Sequence, residues 1–149
     1  TSNWDFFIGM CYAYIVGIKP NYLVKSELFI PFLSYLLRWN GAIPVYRKSK
    51  NKMVEQVVDM FKKHRFFQLG ISPEGTRSKV DRWKTGFYHI ALLSKVPILL
   101  LSMDYNKKEI GIITQFRVTG SFNKDMAFIE SQYQNIAPKI IDNYNPKIY

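Results

Sequence analysis

Short apolar runs alternate with segments whose apolar residues recur every three to four positions, and the alternation persists through most of the 149 residues. Residues 21–25, 41–46, 66–71, 97–103 and 109–116 are the runs, and each has the length of a strand. Between them, Val54, Val57, Val58 and Phe61 fall on one helical face, and 28–39 and 86–95 have the character of helices. A helix over 5–15 opens the chain, capped by Ser2 or Asn3, and the spacing of Met126, Ile129, Tyr133, Ile136 and Ile140 predicts a terminal helix. Strands that alternate with helices need crossover connections, so neighbouring strands run parallel. The expected class is therefore α/β, with a largely parallel mixed sheet flanked by helices. Pro31 fits only the first turn of its helix, and Pro44 places its strand near an edge. No linker divides the chain, which predicts one domain over 1–149 with a loose tail from about Asn143.

Charge and aromatic content narrow the partners. A net charge of +10 and a pI near 9.7 call for an anionic partner, and an aromatic share of 16% fits a nucleic acid or an anionic membrane surface. The longest uncharged stretch, 6–18, has thirteen residues, short of the roughly 18–20 that a spanning helix requires. Membrane contact would then come from one side. Cys11 lies in an apolar run that predicts a buried, inert thiol, and as the lone cysteine it forms no internal disulfide. His64 and His89 lack the partners of a metal set, so no metal is expected; His89 is read as a hydrogen-bonded core residue.

Chemistry concentrates in one loop. The run 66–71 reads as a buried strand, and Ser72-Pro73-Glu74-Gly75-Thr76-Arg77-Ser78 comes directly after it. Glycine lets the backbone approach a ligand, the threonine hydroxyl donates, and the arginine fork suits a phosphate. In an open α/β sheet, ligands gather beyond the carboxyl ends of strands, where this loop and Arg47 both fall. Asp5, at the start of a helix, is a third polar group expected to meet them there. Taken alone, Asp5 is a helix-start acid facing the dipole, Arg47 a solvated charge beside Lys48, and Lys84 either a surface or a phosphate-contacting cation.

Glu74-Gly75-Thr76-Arg77 after a strand, with 41–47 (Gly-Ala-Ile-Pro-Val-Tyr-Arg) upstream and Val96-Pro97-Ile98 downstream, resembles the glycerolipid acyltransferase family, best known for 1-acyl-sn-glycerol-3-phosphate acyltransferases. The segment 83–87 also resembles the stretch just after the third block of that family. The first family block is His-x-x-x-x-Asp. Thr1-Ser2-Asn3-Trp4-Asp5 matches its last five positions, so the histidine is expected immediately before Thr1 and the sequence is read as truncated at its amino end.

The resemblance implies transfer of a fatty acyl group from an acyl-CoA or acyl-carrier-protein thioester to a lysophospholipid hydroxyl. 1-Acyl-glycerol-3-phosphate is the expected acceptor and phosphatidate the product, in phospholipid biosynthesis. No cofactor is implied beyond the thioester co-substrate. The histidine would act as base with Asp5 as its catalytic carboxylate, as in a hydrolase triad without the serine. Arg47, Glu74, Gly75, Thr76 and Arg77 would surround the acceptor phosphate. The expected place is the cytoplasmic face of an anionic membrane, as a peripheral or monotopic protein, with no nucleic acid bound. Trp4, Phe6, Phe7, Tyr12 and Tyr14 are expected to line an acyl groove, face lipid or join the core. Two readings stand beside this one: a non-catalytic anionic-lipid-binding domain of the same fold, and a nucleic-acid-binding protein.

Overall fold

The computed structural model describes residues 2–46, 50–76, 78–145 and 147–149. They form two compact units, one of Ala13–Ser72 and one of Thr1–Tyr12 with Pro73–Tyr149. The first helix, α1 (Asn3–Ile15), runs from one into the other.

The unit Ala13–Ser72 is built on a parallel three-stranded sheet. Its strands are β1 (Asn21–Lys25), β2 (Ala42–Val45) and β3 (Leu69–Gly70), in the order β2-β1-β3. β1 pairs with β2 from Tyr22 opposite Ala42 to Lys25 opposite Val45, and with β3 at Asn21–Leu69 and Tyr22–Gly70. Helix α2 (Pro31–Trp39) connects β1 to β2, and α3 (Lys50–Lys63) lies between β2 and β3 in the chain. Pro31 occupies the first turn of α2, where its missing N–H breaks no hydrogen bond. Pro44 sits on an edge strand as expected, and its carbonyl is satisfied by the Gln56 side-chain amide of α3 at 2.9 Å. Gly41, at φ +86°, makes the turn between α2 and β2; a Cβ there would come within 3.0 Å of the Pro20 carbonyl. Val57 and Val58 of α3 are buried with Ala42, Ile43 and Val45.

The run 66–71 departs from the buried strand expected of it. Only Leu69 and Gly70 pair, and Phe66 is 88% exposed. Among the described residues β3 has one strand neighbour, so little of the run is enclosed, although the backbone and side-chain amides of Asn21 both donate to the Gln68 carbonyl.

The other unit holds the antiparallel pair β4 (Ile98–Asp104) and β5 (Glu109–Phe116), with α4 (Gly86–Ser94) and α5 (Phe122–Tyr133). The expected mixed sheet is thus realised as a parallel sheet in one unit and an antiparallel pair in the other. In the β4–β5 turn, Asp104 Oδ1 accepts the N–H groups of Asn106 and Lys107, both at 3.0 Å. Tyr88, Leu100, Met126, Ile129 and Ile148 form the core of this unit. Tyr88 donates to Asp125 at 2.9 Å, and Asp125 also accepts the Thr119 N–H and hydroxyl at 2.8 and 2.7 Å.

The terminal helix stops at Tyr133 rather than running to Ile140; Pro138 bars its continuation through 137 and 138, since it cannot donate to the helical ladder and disfavours helix in the residue before it. The tail after Asn143 is tied down. Ile148 is fully buried, its carbonyl accepts the Trp83 N–H at 2.9 Å, and its own N–H donates to Glu130. His89 is exposed while its neighbour Tyr88 takes the core position, and Cys11 is exposed rather than buried. Among the described residues, no helix is long and apolar enough to cross a membrane.

Candidate functional site

The polar loop leaves β3 as a turn at Pro73–Glu74, and Gly75 continues it at φ +63°, a conformation that a side chain disfavours. Lys84 closes the loop from the far side. Its backbone N–H donates to the Pro73 carbonyl at 2.9 Å, and its side chain lies along Gly75. A Cβ at position 75 would stand 2.3 Å from Lys84 Nζ, 3.0 Å from Cε and 3.1 Å from Cδ. The backbone angle favours glycine there, and any side chain would displace the lysine end from where it lies. Thr76 Oγ1 accepts the Ser78 N–H at 3.3 Å, which orients the hydroxyl's oxygen within the loop.

Glu74 and Thr76 line a shallow, solvent-open depression with Trp83, Asn143, Tyr144 and Asn145. The Asn145 side-chain amide donates to the carbonyls of Val80 and Asp81 at 2.9 and 3.2 Å, so the C-terminal segment forms one wall. Burial pushes the Tyr133 phenol up to about 12, and the Glu74 charge adds to that rise. Tyr144 is raised for the same two reasons. Both phenols are thereby kept neutral beside the carboxylate. They donate elsewhere, Tyr133 to the Leu101 carbonyl at 3.0 Å and Tyr144 to the Tyr133 carbonyl at 3.1 Å.

Asp5 begins α1 in a capping box. Ser2 Oγ accepts the Trp4 N–H at 3.2 Å, and Asp5 Oδ2 accepts the Ser2 N–H at 2.8 Å. The simple reading of Asp5 as a helix-start acid is thus met in the structure. Its other oxygen, Oδ1, accepts the Tyr105 hydroxyl. Burial pushes the Asp5 carboxyl up, and the hydrogen bonds from Tyr105 and Ser2 act against that push. Tyr105 is raised to about 12, through burial and then the Asp5 bond and charge. The Lys139 ammonium stands 5.2 Å from the Trp4 ring centre and 5.8 Å from that of Tyr105.

Glu74, Gly75 and Thr76 therefore share one loop, and Asp5 has its own set of partners. Arg47 and Arg77 lie outside the described residues. Of the five aromatics considered for an acyl groove, lipid or core, Trp4, Phe6, Phe7 and Tyr14 are exposed and Tyr12 is half-buried, so none joins the core. Sequence reasoning left Lys84 undecided, and the structure sets it on the loop. It overlooked Tyr105 altogether. No local signal marks it: Tyr105 follows β4, a strand of the antiparallel pair, and its partner lies a hundred positions away.

Residues 1–104 match the acyltransferase family. The chain is similar to a 1-acyl-sn-glycerol-3-phosphate acyltransferase of Escherichia coli (strain K12), at 33% identity over 94 residues. That stretch covers 59% of this chain and 38% of the relative, well under half of the relative's length. No solved structure matches the chain.

Proposed function

The chain belongs to the acyltransferase family, and from that premise we propose that its protein transfers a fatty acyl group from an acyl-CoA or acyl-carrier-protein thioester to a lysophospholipid hydroxyl. The acceptor is 1-acyl-glycerol-3-phosphate and the product phosphatidate. The observation that carries this reading is the Lys84 amine laid against Gly75 in the Glu74-Gly75-Thr76 turn. A cation laid against a glycine turn that also carries a hydroxyl suits a phosphate monoester.

In this reading a histidine precedes Thr1 and takes the acceptor's hydroxyl proton. The hydroxyl oxygen attacks the thioester carbonyl, the C–S bond breaks, and the departing thiolate takes the proton from the imidazolium. Asp5 orients the imidazole and stabilises its charged form. No enzyme nucleophile is required. Lys84 and Thr76 bind the acceptor phosphate together with Arg47 and Arg77, while Glu74 orients a cation or accepts from a glycerol hydroxyl.

The protein works docked on an anionic membrane from its cytoplasmic side. Helix α2 supports this, because Phe32, Tyr35, Leu36 and Trp39 follow one helical stripe and are 89%, 79%, 54% and 80% exposed. Aromatic side chains favour the headgroup boundary, and the +10 charge suits anionic lipid.

The test is thioester release by the native protein with either donor, comparing 1-acyl-glycerol-3-phosphate with the same acceptor lacking phosphate. Phosphate contacts of about 1.5–3 kcal/mol each predict a preference of roughly tenfold or more. Equal turnover of both acceptors would refute the phosphate site. Lipid binding without turnover would make the chain part of a non-catalytic lipid-binding protein.

A further inference from the structure

Residue 105 is the first beyond the stretch that matches the family, so the match assigns it no role. It nevertheless touches the carboxylate at the start of α1, a hundred positions away in sequence. The chain brings it there by ending β4 at Asp104 and folding the next residues into a tight turn. The Asp104 carboxylate fixes that turn through the N–H groups of Asn106 and Lys107, and the Tyr105 N–H donates to the Ala137 carbonyl at 3.0 Å. Tyr105 is thus a held group rather than a loose one. Its hydroxyl meets Asp5 Oδ1 while the Ser2 N–H meets Oδ2, so each carboxylate oxygen has a donor that helps to set its place.

We propose that Tyr105 is a positioning residue for acyl transfer: it holds Asp5 in the orientation from which that carboxylate aligns the catalytic imidazole. This inference rests on the reading of Asp5 given above. An imidazole N–H must approach in the carboxylate plane for a short, aligned hydrogen bond, and a carboxylate free to turn about its χ angles loses that alignment. The phenol also stays protonated across the working pH range, since burial and then the Asp5 bond push it up to about 12. It is therefore a permanent donor. The Lys139 ammonium, 5.2 and 5.8 Å from the Trp4 and Tyr105 ring centres, is a charged group at this cluster.

The experiment is Tyr105→Phe in the native protein, which keeps the ring and removes the hydroxyl. With the hydroxyl gone, Asp5 turns from its position and stabilises the imidazolium less, so the base titrates lower. The expected result is a fall in kcat of about tenfold, scaled to one charge-assisted hydrogen bond. KM for donor and acceptor should stay within about twofold, and the acid limb of the pH profile should move to lower pH. Asp5→Asn and the double variant complete a cycle, in which the double variant should lose no more than Asp5→Asn alone.

A folded Tyr105→Phe enzyme with unchanged kcat and pH profile, beside an inactive Asp5→Asn enzyme, would overturn this inference and leave the Asp5 reading standing. Fully additive losses would overturn it as well. A fully active Asp5→Asn enzyme would overturn both together.

Discussion

Replacing Gly75 by alanine separates the two duties that the structure gives this residue. The backbone angle of +63° costs an L-side chain about 1–2 kcal/mol. The new Cβ would also fall 2.3 Å from Lys84 Nζ, a distance that no pair of atoms tolerates. The ammonium is the end of a flexible chain, so moving it adds little to the loss of stability. Function carries the larger loss. If Lys84 contributes one charge-assisted hydrogen bond to the acceptor phosphate, about 1.5–3 kcal/mol disappears. At 1.4 kcal/mol per decade, that is a rise of roughly 10- to 150-fold in acceptor KM. The assay is steady-state acyl transfer by the native protein with Gly75→Ala, Lys84→Ala and the double variant, each checked by chemical unfolding. The double variant should bind the acceptor about as weakly as Lys84→Ala alone, since the lysine is already absent. A folded Gly75→Ala enzyme with unaltered acceptor KM, or a loss that adds in full to that of Lys84→Ala, would refute the coupling.

Ile129→Ala empties a fully buried core position and should lower unfolding free energy by about 2–5 kcal/mol in denaturant titration. Asp125→Ala removes the acceptor of Thr119 and of the buried Tyr88 hydroxyl and should cost about 1–3 kcal/mol for each donor left unsatisfied. Burial raises the Asp125 carboxyl, but hydrogen bonds from Thr119 and Tyr88 among others outweigh it and lower its folded value. Its contribution is therefore complete above the ordinary aspartate value of about 3.9 and fades as pH falls through the folded value; acid unfolding of the Asp125→Asn variant should lack that component. Tyr133 behaves in the opposite sense. Its folded value near 12 lies above the ordinary 10, so above about pH 10 the unfolded chain releases a proton that the folded chain keeps, and stability falls until about pH 12. Tyr133→Phe should flatten that alkaline loss. Changing Phe32 and Trp39 to serine should weaken sedimentation with anionic vesicles at least tenfold and leave the unfolding midpoint nearly unchanged, because both side chains are exposed.

Local chemistry in the sequence was enough to place many elements. The strands 21–25 and 109–116 and the helix after Pro31 lie where apolar runs, spacing and proline chemistry put them. The Glu74–Thr76 turn likewise comes after a strand, and the positive angle at Gly75 is what its composition suggests. These features depend on neighbours within a few positions, and the sequence states such neighbours outright. The apolar spacing misled at Ile136 and Ile140, where a helical period continues past the end of the helix at Tyr133 and, for Ile140, past Pro138.

Burial and distant pairing were decided elsewhere. An apolar run does not say which of its residues will meet another layer, so Phe66 and Cys11 are exposed and the apolar Ile148 of the tail is fully buried. Nor does any local pattern join residue 5 to residue 105, or lay the Lys84 chain across Gly75. Asp5 was legible as a helix-start acid with a family role, but its partner was not. A hydrogen bond needs two groups brought within about 3 Å. For groups a hundred residues apart, only the tertiary fold of the unit that holds the start of α1 and the end of β4 can supply that distance.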